Sequence, residues 1–112
     1  MKQSEIWLID LDPTQGAEIQ KKRPAIIVNN NTLGKLPLKV IVPITDWKTR
    51  YEIAPWMVKI KPNTTNGLNK ISSADCFQIR SVSEKRLIKK LGNIDQNTLL
   101  EIKEALKKVF DM

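Results

Sequence analysis

Histidine is missing from all 112 residues. Its absence removes Ser-His-Asp and Cys-His catalysis, His-based zinc sites and RNA cleavage by a pair of imidazoles. Any catalysis falls to Arg, Lys, Thr, Ser, Tyr, Asp or Glu. Cysteine is almost missing too: Cys76 stands alone. No intrachain disulfide can form, which suits a reducing compartment. No apolar run approaches the roughly 18 residues of a membrane span. The N-terminal MKQSEIWLID lacks the apolar core and cleavage site of a secretory signal. A cytoplasmic protein without membrane association is therefore expected. No repeat, low-complexity tract or coiled coil divides the chain, and its length fits one domain over residues 1–112.

What is abundant is positive charge. Lys and Arg number 19 against 12 Asp and Glu, giving a net charge of +7 and a pI near 9.7. Such a balance suggests a polyanionic partner, although basic residues spread over a solvated surface would give the same figure. The apolar share of 41% and the charged share of 28% are those of an ordinary globular domain.

The segment Glu5 to Val28, EIWLIDLDPTQGAEIQKKRPAIIV, reads as two apolar strands, Ile6–Ile9 and Ala25–Val28. The polar stretch between them carries Pro13, Gly16, Glu18, Lys21, Lys22 and Arg23. Hairpin loops are usually about two to five residues long, and longer ones tend to be functional or disordered. The flanking apolar strands argue against disorder. Asn29–Asn31 reads as a turn and Leu38–Thr45 as a buried strand. Pro43 inside it predicts an edge position or a bulge. Trp56, Val58 and Ile60 alternate with Lys59 and Lys61, which places Trp56 in the core. Ser73–Val82 is predicted as one strand, with Asp75, Phe77 and Ile79 on one face and Cys76, Gln78 and Arg80 on the other.

Ser83 opens a predicted short helix, SEKRLIKKL, which Gly92 stops. The last segment is an amphipathic helix capped by Asp95 or Asn97. Its stripe is Leu99, Ile102, Leu106 and Val109, widened by Ala105 and Phe110. Glu101 and Glu104 come early and Lys107 and Lys108 late, as the helix dipole favours. Strands followed by segregated helices give an α+β, mainly β fold, a small twisted barrel with helices outside.

Three places could carry chemistry. Arg23 offers a planar fork of donors suited to phosphate, Pro24 biases it towards extended backbone, and Lys21 and Lys22 add charge beside it. Thr45-Asp46 sits at a strand end, where a hydroxyl can be held firmly yet exposed; an ST-type turn would use the same residues. Gln78 and Arg80 share a predicted strand face and can meet bases or phosphates, or merely line its polar side. Trp47, Tyr51 and Trp56 could stack bases or fill the core or an interface.

Together these segments resemble the MazF/PemK toxins of bacterial toxin–antitoxin pairs. The likeness rests on EIWLIDLDPTQGAEIQKKRPAIIV, VIVPITD and QIRSVSEKRL and covers almost the whole chain. It implies a small SH3-like barrel with a short helix and a C-terminal helix. It also implies a homodimer that cleaves single-stranded RNA at short sequences, independently of ribosomes and metals. The products would be a 2′,3′-cyclic phosphate and a 5′-hydroxyl. A cognate antitoxin would neutralise the dimer with an extended acidic segment. Arg23 and Thr45 correspond to the family's catalytic arginine and threonine. Glu18 is the nearest carboxylate in the motif and a candidate to take the 2′-OH proton. Gln20, Lys21, Lys22, Gln78 and Arg80 fall on the RNA path. No cofactor or metal is implied.

The chain departs from the family at two places. Phe77 stands where many members have an acidic residue, with Asp75 two residues earlier, and Ala17 stands where some have histidine. Acid–base roles at those positions do not transfer. Two non-cleaving alternatives share the architecture: a toxin that inhibits DNA gyrase, which lacks the Arg23–Thr45 pattern, and a plain basic RNA-binding barrel.

Overall fold

The computed structural model describes residues 1–112. Its centre is three antiparallel strands, β1 (Glu5–Asp10), β2 (Lys22–Ile27) and β3 (Leu38–Asp46). Their near-continuous apolar runs have a simple cause: both faces of this ribbon are buried. Ile6, Ile26, Val42 and Ile44 point into a core shared with the C-terminal helix. Ile9, Ala25, Ile27 and Ile41 point into a second core, closed by Leu11, Val82 and Leu87.

Strand β3 is long enough to serve two partners on its far edge. Leu38–Ile41 pairs with β6 (Arg80–Ser83), and Ile44–Asp46 pairs with β5 (Ser72–Asp75). Beyond β5 lies the edge strand β4 (Met57–Ile60), and beyond β1 lies the other edge, β7 (Leu87–Asn93). Pro43 was expected at an edge or a bulge. The strand is central instead, and Pro43 sits between the β6-paired and β5-paired stretches, opposite Ala25 of β2. A residue without a backbone N–H is tolerated where the ladder changes partner.

Helix α1 (Gln96–Phe110) is capped by the Asp95 carboxylate, which accepts from the Thr98 N–H at 2.7 Å. It buries Leu99, Ile102 and Ala105; Leu106 and Val109 are partly covered and Phe110 is exposed. The α+β, β-dominated fold with this terminal helix matches the sequence expectation. Trp56 does not join the core. It is 38% exposed and packs edge-on against Phe77, ring centroids 6.0 Å apart.

Two segments differ from their predicted form. Ser73–Val82 is not one strand: a 3-10 turn at Cys76–Gln78, capped by Asp75 accepting from the Phe77 N–H, separates β5 from β6. The predicted helix after Ser83 is a single 3-10 turn, Glu84–Arg86, followed by strand β7. The reason is visible in the pairing of β7 with β1. The register slips twice, so that Ile9, Leu8, Trp7 and Ile6 face Leu87, Lys89, Lys90 and Gly92. Each slip leaves one extra residue, as a β-bulge does. Two bulges in seven residues erase the period of two and imitate helical spacing.

Gly92 is accordingly no helix stop. A Cβ there would lie 2.3 Å from the Thr65 carbonyl oxygen, and one on Gly67 would lie 2.2 Å from that of Leu91. The Pro62–Gly67 turn is thus laid backbone to backbone on β7, and the Asn93 N–H donates to Thr65 O at 2.8 Å. Asn66 is buried and holds the turn from inside, donating to Lys61 O and accepting from the N–H groups of Asn63 and Leu68.

Glu5 is a second buried anchor. Burial disfavours its charge, but the Trp7 indole N–H at 2.8 Å, the Lys2 N–H and the terminal ammonium of Met1 outweigh that and lower its pKa to about 2.

Gly92→Ala should destabilise the fold by about 1–3 kcal/mol or more, the usual cost of overpacking, read as a fall in denaturation midpoint. Because the Glu5 pKa is depressed on folding, its contribution is present above the ordinary carboxylate value of 4.5 and is lost as pH falls towards 2. Glu5→Gln should therefore flatten the acid-unfolding curve in that window by about 3 kcal/mol.

Candidate active site

Arg23 enters β2 opposite Ile9, and Thr45 lies near the end of β3 opposite Ser73. The two strands are neighbours, and this brings both side chains to one open cleft of about 270 Å³. Lys22, Pro24, Ile44 and Asp46 line it from the same strands. Its other wall is the Gly67–Lys70 segment with Ser72 and Leu91, which continues from the turn seated on β7 at Gly67 and Gly92.

The lining carries three cations, Lys22, Arg23 and Lys70, against one carboxylate, Asp46. The Arg23 Nε donates to the Gln20 carbonyl at 3.3 Å. That bond orients the guanidinium and leaves its terminal amino groups for a ligand. Lys70 pairs with Asp46 at 3.0 and 3.1 Å to the two oxygens. An oxyanion held here would meet a positive fork, a hydroxyl and flexible ammonium groups.

The remaining sequence candidates lie elsewhere. Glu18 lines a neighbouring pocket of about 530 Å³, together with Leu11, Ala17, Phe77, Gln78 and Arg80. The two are adjacent, since Pro43 borders one and Ile44 the other. Glu18 accepts from the Gln15 N–H at 2.9 Å and so also shapes the loop. Gln20 and Lys21 are exposed; the backbone of Lys21 closes the loop, its N–H donating to Asp12 Oδ1 and its carbonyl accepting from Leu11.

Gln78 and Arg80 do not share a strand face, because Gln78 belongs to the 3-10 turn. Both side chains grip the β1–β2 loop. Gln78 Oε1 accepts from the Ile19 N–H at 2.6 Å, and its amide donates to Ala17 O and to Asp75 Oδ2. Arg80 donates to Leu11 O, and Arg86 donates to the carbonyls of Asp10 and Asp12. The long loop is therefore clasped along its length by side chains from residues 78–86. Asp75 anchors the clasp from below; burial raises its pKa, against hydrogen bonds from Phe77 and Gln78. The neighbouring Cys76 thiol is pushed up to about 12, by burial first and then by the Asp75 charge, and is inert as a nucleophile.

Sequence reasoning singled out Thr45-Asp46 but gave no role to Asp46 and did not foresee Lys70 or Arg86. Lys70 lies 47 positions beyond Arg23 in the numbering, and only the β3–β5 pairing brings it to the cleft. Arg86 was hidden by the helical reading of its segment.

If the clasp orders the loop, Gln78→Ala should raise the rate of tryptic cleavage at Lys21 and Lys22 several-fold while leaving the denaturation midpoint within a few degrees. Unchanged digestion would show that the loop is ordered without it.

Residues 2–110 match the family of PemK-like, MazF-like toxins of type II toxin-antitoxin systems. Among characterised relatives, Endoribonuclease MazF9 of Mycobacterium tuberculosis is 34% identical over 116 residues, spanning 100% of this chain and 98% of the relative. Endoribonuclease MazF of Staphylococcus epidermidis is 33% identical, spanning 95% of this chain and 88% of its own. The solved MazF of Deinococcus radiodurans superposes with a TM-score of 0.81 at 19% identity, over 100% of this chain and 97% of that one. A mycobacterial endoribonuclease solved with its cognate antitoxin superposes at 0.79 and 19% identity, over 100% and 96%. These structural likenesses establish the fold. The sequence match over nearly the whole length establishes the family: the chain belongs to the PemK-like, MazF-like toxins of type II toxin–antitoxin systems.

Proposed function

We propose that this chain is the toxin of such a pair, an endoribonuclease that cuts single-stranded messenger RNA at a short sequence and so stops translation. The observation that carries this reading is the single cleft in which Arg23 and Thr45 meet, lined by two further cations. In the proposed reaction the 2′-hydroxyl gives up its proton as its oxygen bonds the adjacent phosphorus, the P–O5′ bond breaks, and the leaving 5′-oxygen takes a proton from Arg23 or water. A 2′,3′-cyclic phosphate and a 5′-hydroxyl result, and the phosphate supplies the site of attack while the RNA supplies the nucleophile. Arg23 meets the charge that grows on the non-bridging oxygens, where a fixed donor acts most strongly. Thr45 holds the phosphate or the 2′-hydroxyl in line, and alignment itself accounts for much of the acceleration.

Glu18, the candidate for taking the 2′-OH proton, lines the adjacent pocket of the same protomer. An RNA strand running through both pockets would pass it, together with Gln20, Lys21, Gln78 and Arg80. The active species is a cytoplasmic homodimer, and the cognate antitoxin inhibits it by occupying the basic RNA surface with acidic side chains.

The test is incubation of the pure protein with a long single-stranded RNA in the presence of EDTA. Discrete cuts ending in cyclic phosphate are expected, and Arg23→Ala should slow them by about 10²–10³-fold, the usual loss on removing one transition-state donor. Intact RNA, or full activity in Arg23→Ala, would overturn the proposal.

A further inference from the structure

Resting on that reading, we infer that Lys70 is a phosphate-binding residue of the cleft, parked on Asp46 while no RNA is bound. The β5 end of the cleft carries a charge arrangement that Arg23 and Thr45 do not explain. Asp46 lines the same cleft as Arg23 and Thr45, so its carboxylate faces the space a phosphodiester would enter. Alone it would repel the substrate. In the structure it is neutralised by the Lys70 ammonium, which reaches across to both carboxylate oxygens at 3.0 and 3.1 Å.

That ion pair is built to open. The two side chains are 68% and 52% exposed, and exposed pairs are weak because water and salt screen them. The side chains of Asp46 and Lys70 make no other hydrogen bond or ion pair. The backbone beneath is fixed: Asp46 pairs with Ser72, and the Ser72 hydroxyl donates to the Lys70 carbonyl at 2.9 Å. Only the end of the lysine side chain is therefore free to turn, over a stem whose base does not move. A phosphodiester entering next to Thr45 offers the ammonium a stronger cluster of acceptors than one solvated carboxylate. Lys70 then moves onto the RNA. Asp46 acts as a counter-charge that lowers the affinity for polyanions lacking the right fit, so the pair tunes how tightly the cleft holds RNA.

The measurement is binding of a fluorescent, mixed-sequence 2′-O-methyl oligoribonucleotide, which lacks the attacking hydroxyl and stays intact, across a salt series. Each phosphate contact on a single strand contributes about −0.7 to the slope of log K against log salt. Lys70→Gln should flatten the slope by about that amount and weaken binding about five-fold at ~0.1 M salt. Lys70→Arg should restore both. Asp46→Asn should tighten binding without flattening the slope. The double variant separates direct contact from mere screening of Asp46. If Lys70→Gln still flattens the slope when Asp46 is neutral, the ammonium touches phosphate; if it has no effect there, or none in the native background, the inference fails. Wild-type protein that neither binds this probe nor cuts ordinary RNA would instead reject the nuclease reading itself.

Discussion

The structure depends on one strand serving three neighbours. β3 is paired to β2 along one edge and to β6 and then β5 along the other, and it is buried on both faces. Burying apolar area on two faces supplies the free energy that holds so small a domain. Beyond Pro43 the strand keeps only its pairing with β5. Thr45 and Asp46 occupy that stretch, and β2 delivers Arg23 to the same cleft. Core and site are consequences of the same pairing.

A second constraint governs the loop that opens the chain. Eleven residues without regular structure separate β1 from β2, from Leu11 to Lys21. Their backbone groups need partners, and a loop cannot supply them all. Here Gln78, Arg80 and Arg86 donate to carbonyls of Ala17, Leu11, Asp10 and Asp12, and Gln78 accepts from Ile19. These are residue types that a linear reading assigns to RNA contact. In the folded chain a good part of their hydrogen-bonding capacity is used to shape the surface RNA would meet. The positive charge nevertheless remains at that surface, so a structural and an electrostatic role coexist.

Much of this was legible in the sequence because its causes are local. Two-sided burial wrote the apolar runs of β1, β2 and β3, and the 3.6-residue stripe and the Asp95 cap wrote α1. The errors share a different origin. β7 was mistaken for a helix because two bulges, fixed by pairing with β1, destroyed its alternation. Residues 76–78 were mistaken for strand because the 3-10 turn depends on the buried Asp75 carboxylate, a tertiary fact. Trp56 left the core although its neighbours Val58 and Ile60 entered it, since it lies before β4 begins. The cleft was half legible: its motif residues could be named, whereas Lys70, Asn69 and Leu91 belong to it only through strand pairing and the turn laid on β7.

That turn has a consequence for how the site can change. Its seat on β7 is made by main-chain atoms meeting at Gly67 and Gly92, with Asn66 bonding only to backbone. Of the side chains on this wall, Leu68 and Leu91 pack against the core and the Ser72 hydroxyl bonds the Lys70 carbonyl, whereas Asn69 and Lys70 are exposed. Those two positions are mechanically decoupled from the scaffold, an interchangeable lining on a fixed frame whose chemistry can change without refolding the domain.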